Sequence, residues 1–107
     1  MPEMITVTDA DFEKVLRQDG SGKPVLVYFW ADWAGPCQHF TPIVKEIAEA
    51  RHDIVVAGAH ADDNPKAVEQ FGVRGIPTVL LFEGGQRVGG LNGAVPKKEI
   101  ERLLPQQ

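Results

Sequence analysis

The only nucleophilic sulfur in the 107-residue chain is Cys37, which closes the stretch Trp30-Ala31-Asp32-Trp33-Ala34-Gly35-Pro36-Cys37. A thiolate can attack a disulfide, but a second thiol must then resolve the mixed disulfide. With one cysteine no internal disulfide can close, so the chain is not a cross-linked secreted scaffold, and any disulfide it makes is intermolecular. A zinc site would have to draw on Cys37, carboxylates, and His39, His52 and His60, which repeat no ligand spacing; no metal is expected. His39 lies two residues beyond Cys37, a separation that sends helical side chains to different faces and argues against a Cys–His nucleophilic pair. Gly84-Gly85 and Gly89-Gly90 follow strand and turn patterns without opening a helix, so they form no phosphate cradle, and no cofactor is expected.

Charge and length narrow the partners. The chain carries 15 acidic against 11 basic residues, a net charge of −4, which disfavours nucleic acid and anionic membrane as ligands. The longest apolar run, Val25 to Ala31, is too short to span a bilayer. Met1-Pro2-Glu3-Met4-Ile5-Thr6 lacks the basic start and apolar stretch of a secretory signal, so a cytoplasmic, reducing compartment is expected. The length suits one domain, residues 1–107.

The elements that must position Cys37 follow from periodicity. Met4 to Val7 reads as a strand, and Thr8-Asp9-Ala10-Asp11 supplies N-cap oxygens and first-turn carboxylates for a helix with Phe12, Val15 and Leu16 on one face. Asp19-Gly20-Ser21-Gly22 breaks the chain before Val25 to Trp30, a continuous apolar run predicted to be a central strand covered on both faces. Phe40, Ile43, Val44, Ile47 and Ala48 recur at helical spacing, with Pro36 suited to the first turn and Pro42 predicted to kink the middle. Ile54 to Ala57 is a buried strand, Asn64-Pro65 an N-cap and first helical residue, and Gly72 the end of that helix. Thr78 to Phe82 and Arg87-Val88, joined through Gly84-Gly85, form a hairpin, and a last helix from Pro96 turns Ile100, Leu103 and Leu104 inward. The order βαβαβαββα predicts an α/β fold, a mixed central β-sheet flanked by helices on both faces.

The segment from Trp30 to Cys37 resembles the active-site segment of the thioredoxin family, in which two cysteines flank Gly-Pro after a Trp. The resemblance extends along nearly the whole chain, through Asp62-Asp63-Asn64-Pro65, Arg74-Gly75-Ile76-Pro77-Thr78, the Gly84-Gly85 turn and Gly93-Ala94. It implies the thioredoxin fold and the lineage of protein-disulfide reductases. On that match Ala34 stands where the family has its attacking cysteine, and Cys37 where it has the resolving one. Pro77 matches the family's cis-proline, and Gly75 and Ile76 a backbone edge that pairs with an extended substrate segment. Trp33, Gly35, Pro36, Gly93 and Ala94 complete the implied docking surface, whereas Trp30 reads as packing. Tyr28 and Gly58 stand where thioredoxins usually carry a buried Asp and a Lys that tune proton transfer.

Two functions follow from that pattern. In one, dithiol/disulfide cycling is lost and at most monothiol chemistry at Cys37 remains, with a protein substrate and with thioredoxin reductase or glutathione as candidate partners. In the other, the chain is a redox-inactive binding module that holds a partner peptide in the Trp33/Ile76/Pro77 groove. Cys37 itself reads as a functional monothiol or as a small apolar filler, and its expected depth favours the filler. Ala34 reads as natural divergence or as an engineered Cys→Ala change; its coincidence with Tyr28 and Gly58 favours divergence. The codon for residue 34 in the native gene separates the two.

Overall fold

A computed structural model describes residues 4–17 and 22–106. The strands are β1 (Ile5–Thr6), β2 (Val25–Trp30), β3 (Val55–His60), β4 (Thr78–Glu83) and β5 (Gln86–Asn92). The helices are α1 (Phe12–Arg17), α2 (Cys37–Ala50), α3 (Pro65–Gln70) and α4 (Lys97–Leu103), with a 3-10 turn at Ala61–Asp63 before α3. Of the expected chain break, Asp19, Gly20 and Ser21 lie outside the described residues.

The sheet runs β1-β3-β2-β4-β5, parallel through β1, β3 and β2 and antiparallel from β2 to β4 and β5. Side chains alternate along β2, as a strand's period of two requires. Leu26 and Tyr28 face a core with Phe40, Val44 and Ile47 of α2 and Ile100 of α4. Val25, Val27 and Phe29 face a second core with Phe12 and Leu16 of α1 and Ala67 of α3. The apolar run therefore folds as a strand buried on both faces, in the middle of a mixed sheet. Gly84 and Gly85, at φ +61° and +82°, supply the left-handed backbone of the β4–β5 turn. Helix α2 continues through Pro42, the position where a kink is predicted from sequence. Among the described residues no helix is long and apolar enough to cross a membrane.

Two caps differ from the sequence reading. Asp9, expected to cap α1, instead accepts the amides of Lys66 (2.9 Å) and Ala67 (3.1 Å) at the start of α3. Asn64, expected to cap α3, makes no side-chain cap bond there. It turns inward, fully buried, and its amide donates to the Val7 (3.2 Å) and His60 (2.9 Å) carbonyls. The exchange is consistent: Pro65 has no N–H, Asp9 takes the next two, and the Asn64 amide is free to tie β1 to the end of β3. Asp11 closes its own turn by accepting the Thr8 amide (2.8 Å).

The Asp9 carboxylate adds a favourable charge at a six-residue helix that has little stability of its own. Asp9→Ala is therefore expected to cost about 1 kcal/mol, lowering Tm by about 4–8 °C, with Asp9→Asn recovering only part of the loss because its single amide oxygen can replace only one of the two carboxylate acceptors. Thermal and urea unfolding followed by circular dichroism measure both.

Candidate functional site

The site lies where β2 and β3 end. Their parallel register pairs Trp30 with His60, so residues 31–36 leave the sheet beside residues 61–63. The Ala34 amide donates to the Ala31 carbonyl (3.3 Å), and the Cys37 amide to the Ala34 carbonyl (3.0 Å), winding the loop into the first turn of α2. That winding turns Ala34 and Cys37 toward the core: Ala34 is 7% exposed and Cys37 4%. The one thiol is thus covered on the α2 side of the sheet, among Tyr28, Phe40 and Ala34. A disulfide sulfur must reach the attacking thiolate in line, which this depth opposes.

Beneath Cys37 the polar groups satisfy one another. The Tyr28 hydroxyl lies 2.6 Å from the Thr41 hydroxyl, and Thr41 is one helical turn beyond Cys37, on the same face of α2. Burial pushes the Tyr28 hydroxyl well above its ordinary value and the adjacent Cys37 thiol adds to the rise, against a smaller opposing pull from Thr41. The hydroxyl therefore stays neutral. Gly58, opposite Tyr28 across β2–β3, would place a Cβ 3.1 Å from the Met4 sulfur, so the Met4 side chain covers that position and would have to shift to admit a longer residue.

The exposed part of the site is built differently. Trp33 is 65% exposed, and its indole N–H donates to Asp62 Oδ1 (3.3 Å). The Asp62 amide donates to His60 Nδ1 (3.2 Å), which leaves the His60 proton on Nε2, facing Asp32 Oδ2 at 3.1 Å. Both ends of residues 32–33 are thus tied to residues 60–62. Trp33 shares a groove with Ala61, Val68, Val73, Gly75 and Ile76. The Ile76–Pro77 peptide is cis; Pro77 is buried beneath the groove, and its carbonyl accepts the Gly93 amide (2.8 Å). Thr78 Oγ1 donates to the Gly75 carbonyl (2.6 Å), fixing the loop from the sheet side.

Of the residues singled out from sequence, Trp33, Gly75 and Ile76 meet in this groove. Gly35, Pro36, Gly93 and Ala94 are exposed outside its lining, and Ala34, Cys37 and Pro77 lie below the surface. Trp30 is half-buried and sets its ring edge-on to His60, with centroids 4.4 Å apart. His39 and His52 are exposed. Sequence reasoning missed the roles of Asp32, His60, Asp62, Val68 and Val73; the only signal was that Asp62 heads a motif shared with the thioredoxin family. Among the described residues no three His, Cys, Asp or Glu side chains are grouped to hold a metal ion.

The thioredoxin family model matches residues 3–106. The chain belongs to the thioredoxin family. Among its relatives, the thioredoxin of Alicyclobacillus acidocaldarius is 46% identical over 101 residues, 94% of this chain and 93% of that one. Thioredoxin 1 of Synechococcus elongatus is 46% identical over 99 residues, covering 92% and 91%. A solved structure, an Asn-to-Gln mutant thioredoxin from Halobacterium salinarum NRC-1, superposes with a TM-score of 0.84 at 33% identity, covering 94% of this chain and 87% of that one. The thioredoxin fold and its mixed five-stranded sheet are thus shared, in a member with a single cysteine.

Because Tyr28 is the only tyrosine in this thioredoxin-family chain, its titration can be read directly. Its folded-state value is raised above the unfolded value of about 10, so the protonated native form loses ground to an ionising unfolded chain as pH rises. The Tyr28 contribution to stability is expected to be complete below pH of about 10 and to fall progressively above it. Near-ultraviolet absorbance should show no tyrosinate while the fold persists, and Tyr28→Phe should remove this component of the alkaline loss in urea melts.

Proposed function

We propose that this chain is a protein of the disulfide-reductase lineage in which dithiol/disulfide cycling is lost and at most monothiol chemistry remains at Cys37. The observation that carries the reading is the burial of the one thiol, 4% exposed, one turn beyond Ala34. In disulfide exchange an attacking thiolate bonds to one sulfur of the target, the other sulfur leaves as a thiolate, and a neighbouring thiol displaces the enzyme. Without a residue to perform the last step, a mixed disulfide at Cys37 would persist until an external thiol such as glutathione, or a thioredoxin reductase, removed it. Tyr28, Thr41 and Met4 supply no acid or base near neutral pH, which fits a site not used for proton transfer.

A second reading is favoured by the groove. Among the described residues the Ile76 amide and carbonyl bond to no other backbone group, which leaves a short edge able to pair with an extended peptide beside the exposed Trp33 ring. In that role Trp33, Gly35, Pro36, Gly75, Ile76 and Gly93 contact a partner protein and Pro77 supports them from below. The chain would work as one cytoplasmic domain, residues 1–107, without nucleic acid, membrane, metal or cofactor.

Insulin disulfide reduction separates the readings. The unmodified chain is expected to show no rate above background; robust turnover overturns the loss of cycling. Ala34→Cys places a second sulfur one helical turn from Cys37 and is expected to close an internal disulfide and restore measurable reduction. Continued inactivity of that variant favours the binding module. Mass spectrometry after incubation with oxidised glutathione should find no adduct on the native chain and one adduct on the urea-unfolded chain; a native adduct favours the monothiol.

A further inference from the structure

We infer that the Trp33 groove selects an extended partner segment in which a bulky apolar side chain is flanked by Lys or Arg. The inference rests on the binding role proposed above and adds the chemistry of the occupant. The groove floor is apolar, from Ala61, Val68, Val73 and Ile76. Its rim is not. Asp62 and Glu69 are exposed carboxylates on the wall formed by the 3-10 turn and α3, and among the described residues Arg74 is the one cation lining the site.

Two structural details make the acidic wall a feature that a partner would meet. Asp62 is aimed by the Trp33 indole and, like Glu69, is in no ion pair among the described residues, while Asp32, on the Trp33 loop, is held by His60 with its side chain 84% exposed. Glu69 and Arg74 form no ion pair among the described residues, so the groove presents two carboxylates against one guanidinium. An apolar side chain entering between Trp33 and Ile76 therefore brings its neighbours past the Asp62 and Glu69 carboxylates, a pattern complementary to basic flanks and repulsive to acidic ones.

The test uses the whole chain and two Trp-free peptides, acetyl-Gly-Arg-Val-Phe-Val-Arg-Gly-amide and its analogue with both Arg replaced by Glu. Amide and indole NMR signals of Trp33, Gly75 and Ile76 are followed during titration. At low ionic strength the basic peptide is expected to bind about tenfold more tightly than the acidic one, with the gap narrowing in about 0.5 M salt. In the double variant Asp62→Asn/Glu69→Gln the gap should shrink to about twofold or less, while the Asn side chain still accepts the Trp33 indole and keeps the loop in place. Equal affinity for the two peptides, or an undiminished gap in the double variant, overturns the charge selection and leaves the groove reading standing. If neither peptide moves those signals, the groove reading falls and the selection falls with it.

Discussion

Strand β2 is hydrogen-bonded along both edges and packed on both faces, and the geometry of the site follows from that. Its parallel pairing with β3 sets Trp30 against His60, and its antiparallel pairing with β4 sets Phe29 against Thr78. Three segments distant in sequence, residues 31–36, 60–62 and 75–77, therefore arrive at one end of the sheet. None is free to drift, because shifting any strand by one residue would exchange its two buried faces. The side-chain ties, Trp33 to Asp62, His60 to Asp32 and Thr78 to Gly75, then act over short distances already set by the strands.

The polar interior beneath Cys37 obeys the same economy of neutral groups. A buried charge must be desolvated and paired, whereas two hydroxyls at 2.6 Å satisfy each other without net charge. Tyr28 also presents a large ring to the core, edge-on to Phe40 with centroids 5.6 Å apart. Opposite it, the Met4 side chain closes the space over Gly58. Tyr28, Thr41 and Gly58 thus leave no group near the thiol that gains or loses a proton at neutral pH, and the space around them is filled by Phe40 and Met4.

What the sequence discloses and what it hides divide along a physical line. The strand and helix order, the Gly84-Gly85 hairpin and the depth of Cys37 were legible because each depends on local periodicity or on its place in a turn. The caps were not. Asp9 and Asn64 are both good N-cap residues by type, and only the tertiary approach of Asp9 to an amide 57 positions away decides which one serves α3. The His60–Asp32 tie was equally hidden, since it needs the β2–β3 register and a particular imidazole tautomer. Pro77 was legible as a turn residue but not as one covered by its neighbours, because burial of a loop depends on what folds over it.

The thiol and the groove depend on different parts of this arrangement. The loop from Ala31 to Cys37 is held by backbone bonds, Ala34 to Ala31 and Cys37 to Ala34, and by side chains that contain no sulfur. Replacing a cysteine by alanine at position 34 removes one polarisable atom from a site already covered, and leaves each of those bonds available. Disulfide cycling needs two sulfurs within one helical turn and a path for the proton; a peptide groove needs an exposed ring, an unpaired backbone edge and a fixed loop. The proposed loss of the first therefore exerts no structural pressure against the second, and a chain of this fold can part with its redox chemistry without rebuilding its surface.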